Sequence, residues 1–174
     1  MQSGYRLRPY RPQDAAILCR VEHAADQRFA EHGYPQIAGE EPCDSEKFAA
    51  IFADATLAVA VEEETGLPVG YAAMQPYGKH LYLRQMTVDP VHGRKGIGTA
   101  LLRKMIAIAE QEGFPAIWLS TFRDVPFNMP FYLRHGFQEV PLGEAVSVLV
   151  ELFNQEVPEN VNPAERALLR LTLG

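Results

Sequence analysis

One seventeen-residue stretch constrains this chain more than any other: Met86-Thr87-Val88-Asp89-Pro90-Val91-His92-Gly93-Arg94-Lys95-Gly96-Ile97-Gly98-Thr99-Ala100-Leu101-Leu102. Its apolar start is strand-like, its centre is rich in glycine, and its end opens an amphipathic helical pattern. A strand that turns tightly into a helix aims several backbone N–H groups at one point. The positive end of the helix dipole adds to them. Such a junction suits a phosphate, with glycines allowing close approach and Arg94 and Lys95 supplying charge. A dinucleotide fingerprint needs a third glycine where Leu101 stands. A nucleotide-triphosphate loop needs a lysine before Ser or Thr, and Gly98-Thr99 lacks it.

The bulk properties narrow the classes. The 174 residues carry a formal charge of −6, with 47% hydrophobic and 22% charged residues. That is one domain with a substantial core, residues 1–174, and not a nonspecific nucleic-acid binder. Two cysteines, Cys19 and Cys43, make neither a disulfide framework nor a zinc site, so no metal is expected and a reducing compartment is the default. The first residues lack a signal-peptide run and no segment reads as a membrane span. A cytoplasmic protein without membrane association is expected.

The pattern predicts a strand over 5–8 and a helix from Pro12 to about Ala30, stopped at Gly33. An irregular loop runs to Pro42, and a short helix capped by Asp44 or Ser45 runs to Phe52. A hairpin follows over 56–61 and 69–75, then a strand over 81–88. The Gly-rich loop leads into a helix to about Glu112, with Ile97, Leu101, Leu102, Met105, Ile106 and Ala109 on one face. A buried strand spans 116–121, a short helix 128–135, and a strand 137–140. A helix over 143–156, weakened by Val146, Val148 and Val150, precedes a last strand from Arg166 to Leu173. The order implies an α/β (α+β) architecture: a mixed sheet with helices on both faces.

A second segment is Asn128-Met129-Pro130-Phe131-Tyr132-Leu133-Arg134-His135-Gly136-Phe137. Together with the first, it resembles the GNAT superfamily of acyl-CoA-dependent N-acetyltransferases over about residues 5–140. The family loop is usually written Gln/Arg-x-x-Gly-x-Gly/Ala; here Gly93 takes its first position and Gly96 and Gly98 its last two. The resemblance implies a mostly antiparallel sheet splayed between its fourth and fifth strands. It implies acetyl-CoA as the acyl donor, with pyrophosphate on the amides of Arg94, Lys95, Gly96, Ile97, Gly98 and Thr99. Main-chain groups of Met86, Thr87 and Val88 would pair with the pantetheine arm, and the Met86 N–H would donate to the thioester carbonyl. Tyr132 matches the position that protonates the departing thiolate; the alternative is that it only packs or hydrogen-bonds the sulfur. Asn128 would contact pantetheine or cap its helix.

The general base is not visible. Tyr82 stands where some members carry a catalytic Glu. Water, or a carboxylate of the first helix, would serve; Glu22 and Asp26 lie one turn apart and share a face. His23, His32, His80, His92 and His135 read as loop, surface or helix-end residues. The acceptor region spans about 29–44 and 140–167, with Tyr34, Glu40, Glu41 and Phe153. The implied reaction is acetyl transfer to a primary amine of a small molecule. The alternatives are a protein N-terminal or lysine acetyltransferase and a non-catalytic acyl-CoA sensor. The resemblance also allows a homodimer.

Overall fold

The computed structural model describes all residues, Met1–Gly174. Thirteen regular elements follow one another. They are β1 Tyr5–Pro9, α1 Ala15–Asp26, α2 Pro35–Ala38, α3 Ser45–Ile51, β2 Thr56–Glu62, β3 Pro68–Tyr77, β4 His80–Val88, α4 Ile97–Gln111, β5 Ala116–Phe122, α5 Met129–Leu133, β6 Gln138–Glu139, α6 Ser147–Gln155 and β7 Arg166–Thr172. The strands are hydrogen-bonded in the order β1-β2-β3-β4-β5-β7-β6. The β4–β5 pair is parallel, because α4 carries the chain across between them. Pairs β1–β2, β2–β3, β5–β7 and β6–β7 are antiparallel. This is the mixed sheet that the element order implied.

The chain divides into two compact units. One holds Met1–Pro76 and Leu83–Ile108; the other holds Tyr77–Tyr82 and Ala109–Gly174. In the first unit, α1 buries Ala15, Leu18 and Cys19 against β2 and β3 residues Val59, Val61, Tyr71 and Ala73, with Phe48 of α3. The Tyr71 ring meets Phe48 and Phe52 edge-on at 5.3 and 5.8 Å. Arg8 grips Asp14 with two hydrogen bonds of 2.6 and 2.8 Å, which ties β1 to the start of α1. Gly70 is forced by close approach: a β-carbon there would lie 2.7 Å from the Thr87 carbonyl oxygen. Its absence lets β3 run hard against β4 at the strand end that feeds the Gly-rich loop.

In the second unit, β5 pairs with β7 from Ala116↔Thr172 to Phe122↔Arg166. The ladder from β4 to β5 consists of Leu81↔Ile117 and Tyr82↔Trp118. α6 buries Leu149, Leu152 and Phe153 with Tyr82, Trp118 and Leu168. So the segment with weak helix propensity is helical because its apolar face is covered.

Several expectations are corrected. The helix expected over 12–30 is α-helical only from Ala15 to Asp26, with single-turn 3₁₀ geometry over Pro12–Asp14 and continuing over Gln27–His32. The loop after Gly33 contains α2. β6 shrinks to two residues because only Gln138 and Glu139 pair with β7. Cys19 and Cys43 form a disulfide that closes the segment between α1 and α3. Local sequence offered no sign of it, because the two residues meet only when α1 packs on α3. No helix is long and apolar enough to cross a membrane.

Candidate active site

The first unit carries the Gly-rich loop. Asp89 Oδ1 accepts the Val91 N–H at 3.0 Å, and the Gly93 N–H closes a turn onto Pro90 at 3.0 Å. The backbone then passes through the left-handed region twice, at Arg94 (φ 60°) and Gly96 (φ 75°), before α4 starts at Ile97. Left-handed geometry at a non-glycine residue is strained by about 1–2 kcal/mol, and it recurs where backbone is shaped around a ligand. The amides of Arg94, Lys95, Gly96, Ile97 and Gly98 reach no acceptor in the chain; the ladder resumes with the Ala100 N–H on Gly96. Five unsatisfied donors at the positive end of a fifteen-residue helix make an anion cradle.

The basic side chains are divided. Lys95 turns away: its Nζ donates to Tyr5 Oη at 2.8 Å and lies 5.3 Å from that ring's centre. The same hydroxyl hydrogen-bonds His92 Nδ1 at 2.9 Å. Arg94 stays exposed. Sequence reasoning missed Arg28, just past α1, whose guanidinium is pulled down from its ordinary value by burial and by the charge of Arg94. Two arginines thus share one field beside the cradle. Nothing local marks Arg28, which arrives there through the fold of α1.

Along β4, Met86 and Val88 are half-buried and Thr87 is buried. The Met86 N–H donates to Oε1 of its neighbour Gln85 at 3.0 Å. Gln85 Nε2 in turn donates to Glu22 Oε1 at 2.5 Å, and Tyr71 Oη donates to Glu22 Oε2 at 2.7 Å. One turn further along α1, the Asp26 carboxyl is pushed up to about 7 by burial and by the charges of Glu22 and Glu40. The pair Glu22 and Asp26, noted for sharing a helix face, is therefore partly buried, with Glu22 hydrogen-bonded to Tyr71 and Gln85.

The second unit carries Tyr132 on α5. Its ring packs on Phe131 and Phe137 at 5.2 and 5.5 Å and it is only 9% exposed. The hydroxyl has no hydrogen-bond partner in the chain. Burial and then the charge of Glu156 push its pKa up, so the phenol keeps its proton at any working pH. Asn128 does not cap α5 with its side chain; its backbone carbonyl accepts from Phe131 at 2.8 Å. A second feature was missed from sequence: Glu156 Oε2, just after α6, accepts from Tyr82 Oη at 2.9 Å and Ser120 Oγ at 2.6 Å. Arg166 donates to the same Ser120 Oγ at 2.5 Å and lies 3.9 Å from that carboxylate oxygen. Tyr82, at the position where some members carry a Glu, is thus joined to a carboxylate from the C-terminal end of α6.

Residues 21–137 match the acetyltransferase (GNAT) family. N-acetyltransferase family 8 member 3 of Rattus norvegicus is 34% identical over 85 residues, 45% of this chain and 37% of that protein. The match therefore spans well under half of that relative's length. The chain is similar in fold to the Ard1 structure from Thermoplasma volcanium, with TM-score 0.71 at 14% identity, covering 98% of this chain and 99% of that one. It is also similar to the PaiA N-acetyltransferase of Thermoplasma acidophilum in complex with coenzyme A. There the TM-score is 0.69 at 16% identity, covering 97% and 98% of the two chains.

Proposed function

The chain belongs to the GNAT acetyltransferase family, and from that premise we propose that residues 1–174 form one domain that moves an acetyl group from acetyl-CoA to a primary amine of a small molecule. The observation that carries the reading is the row of five unsatisfied amides from Arg94 to Gly98. A pyrophosphate matches them in charge and in number of acceptors. Thr99, in the first turn of α4, completes the proposed cradle. Main-chain groups of Met86, Thr87 and Val88 take the pantetheine arm, with Asn128 as a further contact.

Amide synthesis from a thioester needs a neutral amine, a polarised carbonyl and a donor to the leaving sulfur. The Met86 N–H is the proposed carbonyl donor. The amine nitrogen attacks the carbonyl carbon, the C–S bond breaks, and the sulfur takes the electron pair. Tyr132, kept protonated by burial, passes its O–H proton to that sulfur and recovers a proton from solvent as the products leave. The ammonium proton goes to a carboxylate of α1. Asp26, titrating near 7, has the right strength for a base at neutral pH. The acidic group of Glu22, Asp26 and Glu40 favours a cationic acceptor. We place the activity in the cytoplasm. The Cys19–Cys43 disulfide weighs against that location, since such bonds are rare in reducing compartments, and thiol titration of protein taken from the cell decides it.

The test pairs calorimetric titration with CoA and thiol release from acetyl-CoA over a panel of small amines, lysine peptides and free peptide N-termini. The expected result is micromolar CoA binding with turnover greatest on a small amine. Turnover confined to peptides moves the acceptor to protein. Binding without turnover makes the protein a sensor, and absence of binding overturns the reading.

A further inference from the structure

We propose that Gln85 is a positioning residue: its carboxamide oxygen caps the Met86 N–H in the acyl-free protein and yields it to the thioester carbonyl, while its nitrogen stays anchored on Glu22. The inference deepens the acetyl-CoA reading above and rests on it.

Three hydrogen bonds in series carry the argument: Tyr71 Oη to Glu22 Oε2 at 2.7 Å, Gln85 Nε2 to Glu22 Oε1 at 2.5 Å, and Met86 N–H to Gln85 Oε1 at 3.0 Å. Their polarity has one solution. A carboxylate only accepts, so Glu22 must face the NH₂ end of Gln85. The carboxamide oxygen is then left facing the Met86 amide. The anchor does not drift, because Tyr71 is wholly buried and Glu22 spends one oxygen on each donor. Gln85 is therefore held at one end from the core and engaged at the other with a single backbone proton.

That proton cannot serve two acceptors fully. An uncapped amide buried without a partner costs about 1–3 kcal/mol, so the cap is favourable when no acyl group is present. A thioester carbonyl replaces one neutral acceptor with another. Free CoA ends in a thiol and lacks the thioester carbonyl, so it leaves the cap in place. The cap therefore competes with the donor's carbonyl alone, and it re-forms once the acetyl group has left without changing the affinity for the CoA product.

The experiment compares acetyl-CoA with CoA by calorimetric titration of unmodified protein, Gln85→Met and Glu22→Gln. It adds the ¹⁵N-methionine amide spectrum of unmodified protein, in which Met86 is assigned by substitution. Gln85→Met keeps the length and removes the acceptor. It should leave CoA affinity within twofold and tighten acetyl-CoA about fivefold, the worth of one hydrogen bond. Glu22→Gln, with the anchor weakened, should shift the ratio the same way by a smaller factor. The Met86 amide resonance should move with acetyl-CoA and stay put with CoA. An unchanged acetyl-CoA to CoA ratio in Gln85→Met, with CoA affinity intact, overturns the inference. So does a Met86 resonance that responds equally to both ligands, a result that stands whatever the variants do. A protein that binds neither ligand refutes the acyl-CoA reading itself, a different and distinguishable failure.

Discussion

Asp26→Asn should stabilise this protein, and only above acid pH. The carboxyl is pushed from an ordinary value of 3.8 up to about 7, first by burial and then by Glu22 and Glu40. A folded-state value above the unfolded one means that the native protein binds the proton more tightly. Ionising Asp26 therefore costs nothing below about pH 4, costs more as pH rises from 4 to 7, and costs its full amount above 7. Three units correspond to about 4 kcal/mol if fully expressed. Asp26 is only partly buried, and solvent screening reduces this to about 2 kcal/mol. The neutral carboxamide keeps the shape and removes the charge. For a chain of this size 2 kcal/mol is a rise of about 4–8 °C in Tm. Thermal unfolding followed by circular dichroism at pH 4 and pH 8 is the assay. The gain should appear at pH 8 and vanish at pH 4. Equal changes at both pH values, or a loss at pH 8, would refute the reasoning.

Tyr132→Phe should lower kcat about 100-fold while CoA affinity stays within twofold, and Tm should hardly move, because the hydroxyl bonds nothing in the chain; steady-state thiol release and calorimetry check both. Gly96→Asp combines a residue at φ 75°, a β-carbon 3.2 Å from the Met1 nitrogen, and a carboxylate in the cradle; CoA binding should weaken more than 100-fold, and Gly96→Ala, with the strain but not the charge, should lose far less. Cys43→Ser opens a link of sequence separation 24, which chain entropy values at about 3.5 kcal/mol; Tm should fall by about 7–14 °C, reductant should do the same to the unmodified protein, and a Tm indifferent to reductant would mean that the two sulfurs are not joined.

The elements that local pattern specified are those whose signal is carried by neighbours in sequence. Ile97, Leu101, Leu102 and Met105 recur at helical spacing and are all buried on α4. Asp44 accepts the Lys47 N–H at 2.7 Å and starts α3, as its cap signature required. What local pattern left out is long-range. The disulfide needs α1 and α3 packed together. The α-helical part of the first long helix ends at Asp26, where the chain tightens into 3₁₀ geometry leading to Gly33. Asn128 begins α5 as expected but satisfies amides with its backbone, a choice that residue type does not reveal.

The candidate site divides along the same line. The amide cradle was legible because it is built by consecutive residues: a glycine-rich turn and a helix start place their own N–H groups, whatever the rest of the chain does. Lys95 was expected to add charge there, and Tyr5, ninety residues away in sequence, draws it off. Glu22 and Asp26 were legible as a pair on one helix face, but their chemistry was not. Whether a carboxylate titrates near 4 or near 7 depends on how much water the fold removes and which charges it brings near.

By itself, then, the sequence determined the order of the strands and main helices, the glycine-rich turn into α4 and the placement of Tyr132 on a short helix, since these rest on spacing and backbone geometry within short windows. Only the tertiary structure decided that β7 inserts between β5 and β6, that Glu156 reaches Tyr82 and Ser120, and that Gln85 links Glu22 to the Met86 amide. Hydrogen-bond partners and local dielectric are properties of proximity in space. The Glu22 carboxylate and the Gln85 carboxamide are 63 residues apart in the chain and 2.5 Å apart in the protein.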